Sequence, residues 1–206
     1  MARPPQANPA ETRRRILDAG SRLFATAGVD GCSVRELARD VGVSVATIHH
    51  HFGSKDGLHE ACLQSMYDDL AGLEGVLLGL FEEQRPDVLE QVIRHSWRFA
   101  RSHQLQLRLL MRSVVSVGGL DEGRRKAHML PFLEMGSQAL GSVAGVDPQQ
   151  MRLVLQSGTN LLVRYALGNP TEVHALTGLR GAKGEKAIED HLVWAILALV
   201  DAKGAA

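Results

Sequence analysis

The sequence predicts an all-α protein, with an N-terminal head of three helices followed by a larger helical body, about nine helices in all. Three observations predict it. Apolar residues recur at helical spacing along most of the chain, without the alternation that marks strands. Helix-start signatures recur, each an Asn, Ser or Asp with Pro, Glu or Gln just behind it, and glycines close the segments that follow. Between Ser33 and Phe52, two short helical segments are joined by a turn built on Gly42, the arrangement of a helix-turn-helix.

The first helix opens at Asn8-Pro9-Ala10-Glu11, and its apolar face runs through Ile16, Gly20, Leu23, Phe24 and Ala27 to a stop at Gly28. A second capping box, Ser33-Val34-Arg35-Glu36, starts a helix whose buried side is Val34, Leu37, Ala38 and Val41. Ser44 caps the third, Val45 to Phe52, anchored by Ile48 and Phe52 alone, so most of its surface faces outward. A helix of barely two turns is not stable by itself and must be held by its neighbours. The fourth helix runs from Lys55 towards Leu80, the fifth from Pro86-Asp87 to about Ser102, and the sixth from Gln104 to Val117. Gly118-Gly119 breaks the chain. Gly123 to Leu140 reads as a helix kinked or split at Pro131, which cannot donate a backbone hydrogen bond. Asp147-Pro148 opens a long helix that Gly168-Asn169-Pro170 closes, a Gly-rich loop reaches to about Gly184, and a last helix carries Ile188, Leu192, Ile196 and Leu199. The domain division expected is 1–54 for the head and 55–206 for a ligand-binding and dimerisation body.

With 206 residues, 45% hydrophobic and 22% charged, the chain can bury a core. No apolar run is long enough for a membrane span, and Met1 to Gln6 lead into no apolar export segment, so the expected location is cytoplasmic. Cys32 and Cys62 suggest no disulfide framework. The net charge of zero hides an uneven distribution. Residues 61–90 carry one Arg against seven acids, and residues 91–130 eight bases against two acids; the two blocks are expected to pair if their helices pack side by side. Any DNA affinity must come from local cations, and a handful suffices.

Such cations and dipoles cluster around the third helix. Its outward residues Val45, Ala46, Thr47, His49 and His50 are short or polar, which suits a major groove about 12 Å wide. Ser33 and Ser44 stand at helix N-termini, where backbone N–H groups suit phosphate oxygens. Arg35 follows near the start of the second helix, His51 stands at the groove edge, and Lys55 is placed for a further phosphate. Three consecutive histidines point about 100° apart and cannot converge on one ion, so no metal or other cofactor is expected. Part-protonation of these histidines would make DNA affinity sensitive to pH. Arg13, Arg14 and Arg15 are either phosphate contacts or solvated helix residues. The cysteines read as inert small hydrophobes rather than a thiol sensor.

The run Arg13-Arg14-Arg15-Ile16-Leu17-Asp18-Ala19, then Leu23-Phe24-Ala25, Gly28, Ser33 to Ala38, Gly42-Val43-Ser44, and His51-Phe52-Gly53-Ser54-Lys55 with Leu58, closely resembles the TetR family of bacterial repressors. The resemblance covers roughly residues 11–58. It implies a homodimer joined through the last two long helices, two recognition helices on a palindromic double-stranded DNA operator, and release of that DNA when a small-molecule effector enters the body. The family usually has Tyr at the position of His49 and often Lys-Gly at Val45-Ala46. Here Val45 would meet a thymine methyl, and His49 would reach a phosphate over a shorter distance.

Pockets combine an apolar lining with a few placed polar groups. The body's candidates are His95, Phe99, Met111, Phe132, Asn160 and Arg164, the last two a turn apart on a mostly apolar helix. The competing expectation is a DNA-binding dimer regulated by a protein partner or by abundance; a tightly packed, glycine-poor body would favour it. No Ser/His/Asp set, metal-ligand spacing or phosphate loop is present, so an enzyme is not expected.

Overall fold

The computed structural model describes residues 8–116 and 118–204, with side chains through residue 201. Met1 to Gln6, read above for an export signal, and Val117, the expected end of the sixth helix, lie outside the described residues. Every regular element among the described residues is helical. They are α1 (Pro9–Ala27), α2 (Val34–Val41), α3 (Val45–Phe52), α4 (Lys55–Glu82), α5 (Val88–Ser102), α6 (Gln104–Ser116), α7 (Glu122–Arg124), α8 (Leu130–Ala144), α9 (Pro148–Ala166), α10 (Pro170–Thr177) and α11 (Gly181–Gly204).

The chain divides into two compact units, Met1–Asp69 with Leu105–Gly118, and Leu70–Gln104 with Gly119–Ala206. The first unit thus adds the opening turns of α4 and nearly all of α6 to the three head helices. Its start signals act as read. Asn8 Oδ1 accepts from Ala10 N (3.0 Å), Ser33 Oγ from Glu36 N, and Ser44 Oγ from Thr47 N (3.0 Å). Gly42 ends α2 in the left-handed region at φ 74°, ψ 38°, a conformation that costs a side chain about 1–2 kcal/mol. Ile16, Phe24, Leu37, Ile48, Leu58 and Leu63 are fully buried together, joined by Leu109 of α6. Burying each such side chain is worth roughly 1.5–3 kcal/mol, which is what holds the two eight-residue helices in place.

The cysteines belong to this core. Cys62 lies where a Cβ on Gly20 would come within 3.2 Å of its Sγ, and burial pushes its thiol up to about 11. Burial also raises Cys32 above the ordinary thiol range. Both therefore stay protonated near neutral pH, as inert packing groups.

In the second unit α5 packs on α9 and α11, and α8 packs on α9. Ile93 and Trp97 of α5, Met151 and Val154 of α9, and Ile188, Leu192 and Ile196 of α11 are buried. Pro131 has the expected effect. Arg125–Met129 forms a π turn, closed by Leu130 N donating to Arg125 O, before α8 resumes with the proline in its first turn.

One expectation needs correction. Residues 168–184 are not a loop throughout, because α10 occupies Pro170–Thr177 with Asn169 Oδ1 accepting from Glu172 N (2.9 Å). The basic residues of α5 find acids both near and far along the chain. Arg94 bonds Glu90 within α5 (2.8 Å) but reaches Asp190 of α11 at 3.0 Å, Arg98 reaches Glu189 at 3.3 Å, and Arg101 pairs with Glu185. The basic face of α5 is matched by the last helix.

Candidate nucleic-acid interface

Helices α2 and α3 are joined through Gly42 and Val43, and Val43 N donates to Ala38 O (2.9 Å) across the turn. The internal side of α3 is Ile48, with no exposed surface at all. That single anchor sets which residues face out: Ala46, His49 and His50 are exposed, while Val45, Thr47 and His51 are half-buried. Exposed Ser44 leads the helix, its hydroxyl shared between Thr47 N and Thr47 Oγ1 (2.8 Å). Thr47 is thereby turned back towards the cap. Val45 packs partly against the head core, leaving only some of its surface open.

At the far end of α3, Gly53 adopts φ 74°, ψ −58°, and its N–H donates to His49 O (2.8 Å). The His49 ring in turn donates from Nδ1 to the Gly53 carbonyl at 2.7 Å. His50 and His51 meet edge to face with ring centroids 5.4 Å apart. Lys55, half-buried, begins α4 just beyond, where Ser54 Oγ accepts from Gly57 N (3.0 Å). Ser33 is half-buried at the start of α2, and Arg35 is exposed in its first turn. The exposed face thus presents helix N-termini, imidazoles and a guanidinium, with no acid among the ten residues singled out.

The three arginines of α1 separate into different roles. Arg15 donates through Nη2 to the Val41 carbonyl, closing the end of α2. Arg13 lies 5.2 Å over the Phe52 ring, and Arg14 is exposed. Arg112 of α6 was not singled out by its sequence pattern. Its guanidinium fills the space a Cβ on Gly28 would need (2.7 Å), and it donates to Thr26 O at 3.4 Å, fastening α6 to the end of α1. The head also carries an open polar groove of about 410 Å³ between α1 and α4, lined by Arg13, Leu17, Glu60, Gln64 and Asp68 among others.

The residues expected to line an effector pocket fall in both units. Met111 belongs to the first unit and the other five to the second. His95 is half-buried and donates from Nδ1 to Gln91 O (2.8 Å), and Phe99 stacks on His103 at 4.0 Å. Phe132 is half-buried on α8. Asn160 and Arg164 are exposed on α9: Asn160 accepts from Gln156 Nε2 (3.1 Å), and Arg164 pairs with Glu172.

Residues 16–62 match the model of bacterial regulatory proteins of the tetR family. The transcriptional repressor AcnR of Corynebacterium glutamicum is 36% identical over 95 residues, which are 45% of this chain and 48% of that protein. The chain is thus aligned with about half the length of the curated relative. Among solved structures, a TetR-family regulator from Mesorhizobium loti superposes with a TM-score of 0.65 at 20% identity, covering 96% of this chain and 98% of the other. The multidrug binding protein EbrR, complexed with malachite green, does so with a TM-score of 0.62 at 18% identity, covering 95% and 98%. Among the described residues no helix is long and apolar enough to cross a membrane.

Proposed function

We infer, for a chain whose head belongs to the tetR family of bacterial regulatory proteins, a transcriptional repressor that binds a palindromic operator as a homodimer and leaves it when a small molecule enters the body. The observation that carries this reading is α3. It is a two-turn helix held from behind by Ile48, with Ala46, His49 and His50 outward and a capped N-terminus at Ser44. A helix of that size with short outward side chains fits the major groove. Ser33, Arg35, Ser44 and Lys55 then meet phosphates on either side, and Ala46 and His50 face base edges. In this division of labour residues 1–54 read DNA, and residues 55–206 dimerise and hold the effector.

Dimerisation through α9 and α11 is supported by apolar surface left outside on both helices. Leu153 is 70% and Trp194 67% exposed, with Leu199 also open; soluble proteins bury such residues against partners when they cluster. The effector is supported by the likeness of the fold to the multidrug binding protein EbrR, which is complexed with malachite green. His95, Phe99, Met111, Phe132, Asn160 and Arg164 remain the proposed contacts, Arg164 being paired with Glu172 in the free chain. The protein so described acts in the cytoplasm and performs no turnover.

Selection of bound duplexes from a random pool tests the reading. It is expected to return a two-fold symmetric site. On that site His50→Ala changes the preferred bases, and Lys55→Ala weakens all sequences alike while lowering the salt slope by about 1. Failure to enrich any sequence would defeat it.

A further inference from the structure

The turn that ends α3 determines what His49 can offer to DNA. Gly53, at φ 74° and ψ −58°, is the centre of a three-residue turn in which Ser54 N donates to Phe52 O at 2.8 Å. This is the γ-turn with positive φ, rare and strained, and open here because the residue is glycine. Its consequence is a carbonyl aimed back at the helix, where the His49 ring meets it through Nδ1 at 2.7 Å. A carbonyl oxygen only accepts, so Nδ1 carries the hydrogen. The neutral ring then presents a bare lone pair at Nε2. Such a nitrogen is repelled by a phosphate oxygen and by guanine N7 and O6, all of which are acceptors. Protonation converts the same atom, in the same place, into a charged donor.

We propose that His49 is a proton-gated DNA contact: pinned by Gly53, it engages an acceptor atom of DNA only as the imidazolium, so operator affinity rises as pH falls. The proposal rests on the docking of α3 inferred above. Binding takes up a proton at each His49, and the linkage sign follows, because the bound state favours the protonated ring and acid strengthens the complex. The charged and titratable groups around α3 are His50 and His51 on the helix itself, and Arg35, Glu36, Arg39 and Asp40 on α2. Lys55 and Asp56 open α4, and Arg13 of α1 lies over Phe52. Among the described residues, Asp40 is turned towards Arg22 (3.8 Å), and the His49 ring is bonded to Gly53 rather than to any of these groups.

The test uses the full chain and the duplex recovered by selection from the random pool, titrated at constant ionic strength. Wild-type affinity is expected to rise on the order of tenfold between about pH 8 and about pH 6. His49→Gln, whose amide donates at every pH, is expected to bind without that dependence, whatever its absolute affinity. His50→Gln and His51→Gln are expected to keep it. Nitrogen-15 shifts of the ring, read without DNA, are expected to show the neutral form of His49 protonated at Nδ1. Equal wild-type affinity at both pH values would overturn the proposal while leaving the docking intact, and so would a dependence that survives His49→Gln or a neutral ring protonated at Nε2. Absence of any selected duplex would overturn the docking itself, and the gate with it.

Discussion

The two units hold their helices by different means. In the first, α2 and α3 have eight residues each and no independent stability; they stay in place because Leu37 and Ile48 are sealed into a core with Ile16, Phe24 and Leu58. In the second, α9 and α11 have 19 and 24 residues, and charged side chains link α5 to them. Arg101 donates to the Ala166 and Gly168 carbonyls (2.8 and 3.2 Å), pairs with Glu185, and lies 5.7 Å from the Trp97 ring. Among the described residues, α1 to α3 leave no large apolar side chain exposed, whereas Leu105 and Val115 of α6 in the first unit, and Leu153 and Trp194 in the second, lie outside. A head that must present a short rigid surface needs its hydrophobic anchor complete. Long helices can be stitched by polar clamps and still leave apolar surface outside.

The largest effect should come from removing the anchor. Ile48→Ala leaves a cavity under α3, a loss of about 2–5 kcal/mol. Both tryptophans, Trp97 and Trp194, lie in the second unit, so their fluorescence reports that unit, whereas far-ultraviolet circular dichroism reports all helices. In denaturant the variant is expected to lose part of its dichroism before its fluorescence changes, together with operator binding. Coincident transitions shifted by the same amount would erase the distinction between the units. Arg101→Ala probes the other side. The clamp is half-buried; its loss strips the Gly168 carbonyl and Glu185 of this donor, while Ala166 O keeps Gln104 Nε2, and should cost about 1–3 kcal/mol. The fluorescence transition should move more than the dichroism signal of the head. Arg101→Lys should recover only part, since an ammonium cannot span two carbonyls and a carboxylate as a planar guanidinium does.

How far these features were legible follows from their range along the chain. Caps are local, and Asn8, Ser33, Ser44 and Asp147 start helices as their neighbours imply. The miss at α10 was also local. Asn169-Pro170-Thr171-Glu172 has the form of Asn8-Pro9-Ala10-Glu11, but a proline behind a long helix reads equally as a stop. The outward face of α3 was legible because one buried residue, Ile48, fixes its rotation. The bond between His49 and Gly53 was not, since it depends on where a positive-φ turn aims its carbonyl, which side-chain periodicity does not encode. The partners of the basic block were hidden for a different reason. Arg94 and Asp190 stand 96 residues apart, and only the packing of α5 on α11 selects that pairing over the nearer acids of α4. Asn160 and Arg164 were read correctly as one face of α9, but hydrophobic spacing does not tell a pocket from an open surface.

The smallest effect belongs to the outer edge of the clamp, and it sharpens the contrast between buried and exposed charge. Asp190 accepts from Lys186 at 2.7 Å and from Arg94 at 3.0 Å, and these bonds, Lys186 first, hold its carboxyl below the usual range. A carboxyl lowered in the fold stabilises it above its unfolded value, and that contribution is lost as pH falls through the folded one. The side chain is half exposed, so water and salt screen most of the gain. Asp190→Asn is expected to cost no more than about 0.5 kcal/mol near neutral pH, to become neutral in acid, and to lose what effect it has in high salt. A cost as large as that of Arg101→Ala, or one unchanged by salt, would mean that Asp190 belongs to the buried clamp and not to its solvated rim.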